Sequence, residues 1–167
     1  GGVAVGDINR DGLFDIVLAT HSGKILILIN NGDGSFREMP FPMKEDFHSR
    51  AIKIADINGD GWPDIVAVSE GPFSRGYVPK GLLIGLNKEG KDWDISIMED
   101  TKRVYSDFLS LGDINGDGRV DIAIAPLTAI KSDKRSLWVG DGKGGFTEYP
   151  YDFGDMLLGR VGLGDID

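Results

Sequence analysis

Short apolar runs recur along the chain, separated by clusters of glycine, asparagine and aspartate that favour turns. Val3-Ala-Val5, Ile52-Lys-Ile54 and Leu109-Ser-Leu111 each precede an acidic loop, and Asp15–Ala19, Asp64–Val68 and Asp121–Ala125 each follow one. A third run comes after a connector, at 24–29, 82–86 and 137–139, and a weaker fourth at 36–39, 95–98 and 146–149. Asn31-Gly-Asp-Gly34, Asn87-Lys-Glu-Gly90 and Asp141-Gly-Lys-Gly-Gly145 stand between third and fourth runs. They read as hairpin turns, because glycine and asparagine tolerate positive φ. Ile25-Leu-Ile-Leu-Ile29 is apolar without alternation, which predicts a strand covered on both faces. It is too short for a buried helix, and no stretch of about ten residues or more carries a helical period.

The runs belong to a repeat. Asp7-Ile-Asn-Arg-Asp-Gly-Leu-Phe-Asp15, Asp56-Ile-Asn-Gly-Asp-Gly-Trp-Pro-Asp64 and Asp113-Ile-Asn-Gly-Asp-Gly-Arg-Val-Asp121 align without gaps, and a fourth copy starts at Asp165-Ile-Asp167. The starts are 49, 57 and 52 residues apart, a period that suits a four-stranded propeller blade better than a helical repeat. The predicted fold is all-β, a β-propeller of four-stranded blades: blade one at 1–49, blade two at 50–106, blade three at 107–158, and the first strand of a fourth at 159–167. Propellers close with about four to eight blades. Three blades and a strand are therefore expected to be part of a larger ring, completed by further chain or by a second copy.

Numbered from its first aspartate, each loop places side-chain oxygens at positions 1, 3, 5 and 9: Asp7, Asn9, Asp11 and Asp15; Asp56, Asn58, Asp60 and Asp64; Asp113, Asn115, Asp117 and Asp121. Position 6 is glycine, and position 7 (Leu13, Trp62 or Arg119) offers a backbone carbonyl. Asp165 and Asp167 begin the fourth set. These are all hard oxygen donors, and calcium accepts six to eight of them in flexible geometry. An EF-hand or dockerin loop needs an acidic ligand at position 12, where Leu18, Ala67 and Ile124 stand instead. The competing reading is a metal-free hairpin held by aspartate side chains. Against it, closely packed carboxylates repel one another. The nine loop aspartates equal the formal net charge of −9, which three calcium ions would reduce to −3.

That acidic balance argues against a nucleic-acid backbone as partner. The chain has no cysteine, so thiolate metal sites, disulfides and cysteine nucleophiles are excluded together. No apolar run approaches the roughly 18–20 residues of a membrane span.

At the acidic loops the sequence resembles the FG-GAP/VCBS repeat family, which includes the integrin α-subunit propeller. The resemblance lies in Asp-x-Asn-x-Asp-Gly-x-x-Asp followed by an apolar strand, and extends to Ser69-Glu-Gly-Pro72, Ala123-Ile-Ala-Pro126 and the Asn30-Asn-Gly-Asp-Gly-Ser-Phe36 hairpin. The family's leading Phe-Gly is not kept; Phe47-His48 and Phe108-Leu109 stand nearby, which favours the VCBS branch. The resemblance implies a calcium-stabilised propeller, usually seven-bladed, outside the cytoplasm, serving adhesion or ligand binding.

Loops alternate between the two faces of a propeller, so the connectors fall opposite the acidic loops. Five of these connectors carry ten of the 18 basic residues together with several aromatics. This face is expected to take a glycan or a protein, with Arg50, Arg160, Tyr105 and His48 as candidate contacts. Ordinary solvated loops are the competing reading. His21 and His48 both fall on this face, but no serine elbow or cysteine accompanies them, so no nucleophile–base pair is recognisable. Three functions stay open. One is a non-catalytic calcium-binding module. Another is the scaffold of a polysaccharide lyase or hydrolase using His48, Arg50, Tyr105 and Lys131. The third is a structural segment of a large surface protein. Calcium sites of extracellular modules bind at about 10⁻⁴–10⁻³ M, which places the chain outside the cell, at its surface or in the periplasm.

Overall fold

A computed structural model describes residues 2–71, 76–102, 104–125 and 136–151, together with Gly162. The predicted strands form three four-stranded antiparallel sheets, each in sequential order. Sheet one holds β1 (Val3–Gly6), β2 (Asp15–Ala19), β3 (Ile25–Asn30) and β4 (Phe36–Met39). Sheet two holds β5 (Ser49–Ala55), β6 (Asp64–Ser69), β7 (Leu82–Lys88) and β8 (Asp92–Ile97). Sheet three holds β9 (Leu109–Gly112), β10 (Asp121–Ile124), β11 (Leu137–Gly140) and β12 (Phe146–Glu148). Among the described residues the sole helical piece is a single 3₁₀ turn at Glu99–Thr101. The first strand of a fourth blade, expected at 159–167, lies outside the described residues apart from Gly162.

The sheets meet face to face. Val17, Ala19, Ile25, Ile27 and Ile29 of sheet one pack on Ile52, Ile65, Ala67 and Leu83 of sheet two. Val66, Val68, Leu82 and Ile84, on the other side of sheet two, pack on Leu109, Ile122, Ile124 and Trp138 of sheet three. Alternate residues of β6 thus serve two cores, and the whole strand is buried. Each fully buried aliphatic side chain contributes about 1.5–3 kcal/mol. The first strands come closest from sheet to sheet, β1 beside β5 and β5 beside β9. The sheets therefore fan out from their first strands, as propeller blades do about an axis, and the ring they describe is not closed.

Two expectations need correction. Ile25–Ile29 is not covered on both faces: Ile25, Ile27 and Ile29 are buried, whereas Leu26 and Leu28 are half-buried. Those two residues share the outer face of sheet one with Val3 and Val5, about 60% exposed, and no described sheet covers it. The fourth strand of sheet two begins at Asp92, not near Ile95, and pairs as far as Lys88↔Asp92. The turn before it is tighter than expected because Glu89 and Gly90 both adopt positive φ. Its aspartates alternate with Trp93 and Ile95, so half of the strand faces water.

Sheet two supplies both cores, so its residues are the most sensitive to truncation. Replacing Ile65 by alanine is expected to cost about 2–5 kcal/mol in denaturant unfolding. Lys53→Ala, on the exposed side of the same sheet, should stay within about 0.5 kcal/mol.

Candidate functional site

Each acidic loop joins the first two strands of its sheet, and the three copies repeat one hydrogen-bonding scheme. At position 1, the carboxylate of Asp7 accepts the backbone N–H groups of Asp11 and Gly12 at 3.0 and 2.9 Å. Asp56 accepts those of Gly59, Asp60 and Gly61, and Asp113 those of Gly116, Asp117 and Gly118. The N–H of Gly118 is the largest of the influences that hold the Asp113 carboxyl below its ordinary value. At position 3, the Asn9, Asn58 and Asn115 amides donate to the position 5 carboxylates of Asp11, Asp60 and Asp117 at 2.8, 2.9 and 3.2 Å. The position 5 carboxylates accept the N–H of Leu13, Trp62 and Arg119. The chain turns back at position 6, where Gly12, Gly61 and Gly118 hold φ of 88°, 87° and 80°.

Position 9 differs in kind. Asp15, Asp64 and Asp121 are fully buried. One oxygen of each accepts the N–H of position 2 in its own loop: Ile8 at 2.8 Å, Ile57 at 2.9 Å and Ile114 at 2.7 Å. The other accepts an N–H from the third strand: Asn30, Asn87 or Gly140, each at 2.8 Å. A single carboxylate thus ties loop, second strand and third strand together. Burial pushes the Asp64 carboxyl up, partly offset by the N–H bonds from Asn87 and Ile57.

The loops bring twelve predicted side-chain donors into three equivalent sets, together with the backbone of Leu13, Trp62 and Arg119. Asp165, Asp167 and Arg160 lie outside the described residues. Among the described residues, no three carboxylates or imidazoles gather as a metal cage. The loop oxygens face backbone N–H groups instead. The donor chemistry still fits a hard divalent cation, because a carboxylate oxygen that accepts one N–H keeps a second lone pair. The sharp turn at position 6 also keeps positions 1, 3 and 5 on one short arc.

On the opposite side, the predicted contacts are drawn into an ion-pair cluster across sheets. The buried Glu70, just past β6, lies 2.5 Å from Nδ1 of His21, and 3.6 Å from both Nδ1 of His48 and Nε of Arg50. Arg50 occupies a bulge at the start of β5, where pairing slips between Ser49 and Ala51, and its guanidinium also reaches Asp107 at 3.5 Å. His48 packs against Tyr77 with ring centroids 4.3 Å apart and the planes tilted by 42°. The Tyr77 hydroxyl meets the Ser69 hydroxyl at 2.9 Å, and burial raises the pKa of its phenol above the ordinary value. Tyr105 is buried rather than presented. Lys131 falls outside the described residues. Sequence reasoning missed the pairing of Glu70 and Asp107: Glu70 stood only as part of Ser69-Glu-Gly-Pro72, and Asp107 carries no motif.

A sequence model described as FG-GAP-like repeat matches residues 3–67. Cartilage acidic protein 1 of Xenopus tropicalis is 31% identical over 93 residues, 54% of this chain and 13% of that protein. Integrin alpha-4 of Xenopus laevis is 26% identical over 158 residues, 81% of this chain and 14% of its own length. A T-cell immunomodulatory protein homolog of Plasmodium falciparum is 31% identical over 141 residues, 75% of this chain and 19% of its own. The chain thus spans less than a fifth of the length of these curated relatives.

The position 9 carboxylate should matter without any metal. In chelator, Asp64→Ala strands two buried N–H donors at about 1–3 kcal/mol each, so a loss of about 2–6 kcal/mol is expected in denaturant unfolding. The exposed Asp60→Ala should lose about 1 kcal/mol or less under the same conditions.

Proposed function

The chain carries FG-GAP-like repeats, and on that premise we propose that it is part of a calcium-stabilised extracellular β-propeller module that binds a ligand and performs no chemistry itself. The observation that carries this reading is the threefold repetition of one oxygen-rich loop with one hydrogen-bonding scheme. Each loop would hold a calcium ion through its side chains at positions 1, 3, 5 and 9 and its carbonyl at position 7. The bound cation would neutralise carboxylates that now face only N–H groups. We assign the blades to 1–49, 50–106 and 107–158, with a fourth starting at 159–167. The apolar outer face of sheet one, with Val3 and Val5 exposed, supports a ring continued by further blades.

The ligand face lies on the connector side, where Arg50, His48 and His21 are partly exposed around Glu70. The integrin relative supports a protein ligand in an adhesion role at the cell surface, without bearing on which face takes it. The alternative lyase reading would draw on His48 and Arg50, which both face Glu70, and the second measurement below tests it.

Two measurements test the proposal. Calcium at about ten times the dissociation constant should add about 1.4 kcal/mol per site, so the melting temperature should rise by several degrees over chelator. A calcium-insensitive melt removes the metal assignment. Incubation with an acidic polysaccharide should release no shortened chains. Depolymerisation would replace the binding module with an enzyme.

A further inference from the structure

The three acidic loops are alike within themselves, but they are not joined to one another in the same way. Between loop one (7–15) and loop two (56–64) runs an unbroken hydrogen-bonded path. Asp15 accepts the N–H of Ile8 at 2.8 Å, and the carbonyl of Ile8 accepts Nδ2–H of Asn87 at 2.9 Å. The backbone N–H of Asn87 then donates to Asp64 at 2.8 Å. Asp15, Ile8, Asn87 and Asp64 are all buried. The same Asn87 amide also donates to the carbonyl of Pro63 at 3.0 Å, within loop two itself. One residue of sheet two therefore binds the backbone of both loops through its side chain and the Asp64 carboxylate through its own backbone N–H.

A second contact bridges the outer parts of the same pair. The Arg10 guanidinium lies 5.2 Å from the ring centre of Trp62. Arg10 is position 4 of loop one, next to the candidate ligand Asp11, and Trp62 is position 7 of loop two, whose carbonyl is itself a candidate ligand. Arg10 also holds φ of 59°, a left-handed conformation that glycine occupies at the same position of the other two loops. A strained arginine is retained where its side chain reaches across to the neighbouring blade.

Loop three has neither connection. The residue equivalent to Asn87 is Gly140, which donates its N–H to Asp121 but has no side chain to reach loop two. A Cβ there would stand 2.2 Å from the carbonyl oxygen of Val120, so the site admits no side chain. The residue of loop two equivalent to Arg10 is Gly59, which presents nothing to Arg119.

We propose that loops one and two take up calcium as a coupled pair, through the Asn87 bridge and the Arg10–Trp62 stack, while loop three binds independently. This rests on the calcium reading of the loops given above. The physical basis is that an ion fixing one loop also fixes Ile8, Asn87 and Pro63, which the second loop must order when it binds. Whichever ion arrives first makes the second cheaper to order, and coupling between sites is reciprocal.

The test is a calcium titration of the full chain followed by amide hydrogen exchange, resolved into peptides covering 7–15, 56–64 and 113–121. In the unaltered chain all three loops should gain protection. Asp11→Ala disables loop one at an exposed position and should raise the calcium needed to protect loop two by about fivefold or more, leaving loop three unchanged. Asp60→Ala should shift loop one by the same factor. In Asn87→Gly combined with Arg10→Gly, both residues taken from the uncoupled positions, every loop should still respond to calcium but Asp11→Ala should no longer shift loop two. The coupling is overturned if Asp11→Ala leaves loop two unmoved, or shifts loop three as much. If no loop of the unaltered chain responds to calcium, the calcium reading falls and takes the coupling with it. Calcium-dependent protection without cross-talk sinks the coupling alone.

Discussion

Each sheet depends on one buried carboxylate at the start of its second strand. Asp15, Asp64 and Asp121 are enclosed in protein yet satisfied on both oxygens by backbone N–H groups, one from the preceding loop and one from the third strand. Buried charge is tolerated only with such partners. No other side chain of the loop touches two strands in this way. The same residue therefore closes the loop, sets where the second strand starts, and holds the third strand in register beside it. Repeating this device three times gives three sheets of like shape, which can stack in one direction.

Stacking then explains the division of labour between the two ends of the sheets. At the acidic end, sheets one and two touch through the Asn87 amide on loop backbone and through Arg10 over Trp62. At the connector end the sheets touch through polar and charged side chains: His21, following β2, and Arg50 of sheet two meet at Glu70, and Arg50 reaches Asp107, which leads into sheet three. At the acidic end most of the donors to the carboxylates are backbone N–H groups. The connector end keeps longer, partly exposed side chains such as His21 and Arg50 on a folded frame.

Much of this was legible in the sequence because the repeat is local. The spacing of Asp7, Asn9, Asp11 and Asp15 stays within one turn of chain, and the apolar runs beside it are short and regular. The strands at 3–5, 36–39 and 82–86 consequently came out close to their observed limits. The start of β8 did not, because Asp92 and Asp94 look like loop residues until the alternation with Trp93 and Ile95 is set against a partner strand. The half-covered face of β3 was equally hidden, since an apolar run does not say how many neighbours a sheet has. The Glu70 cluster was out of reach for a different reason: its members come from four separate places in the chain, and nothing in the sequence says that they meet.

Repetition also conceals what is particular to each copy. Aligning the three loops marks Arg10 as the odd residue among glycines and Gly140 as the odd glycine opposite asparagines, but only the fold gives those departures a common meaning. Arg10 and Asn87 lie 77 residues apart in sequence and serve the same junction, between sheets one and two. The next junction lacks both and relies on apolar packing around Trp138, Ile122 and Ile124 together with the Arg50–Asp107 pair. A repeated loop chemistry with unequal links between copies gives loops of one design different surroundings. The difference resides in the residues at positions 4 and 7 and in one third-strand side chain, not in the ligand set.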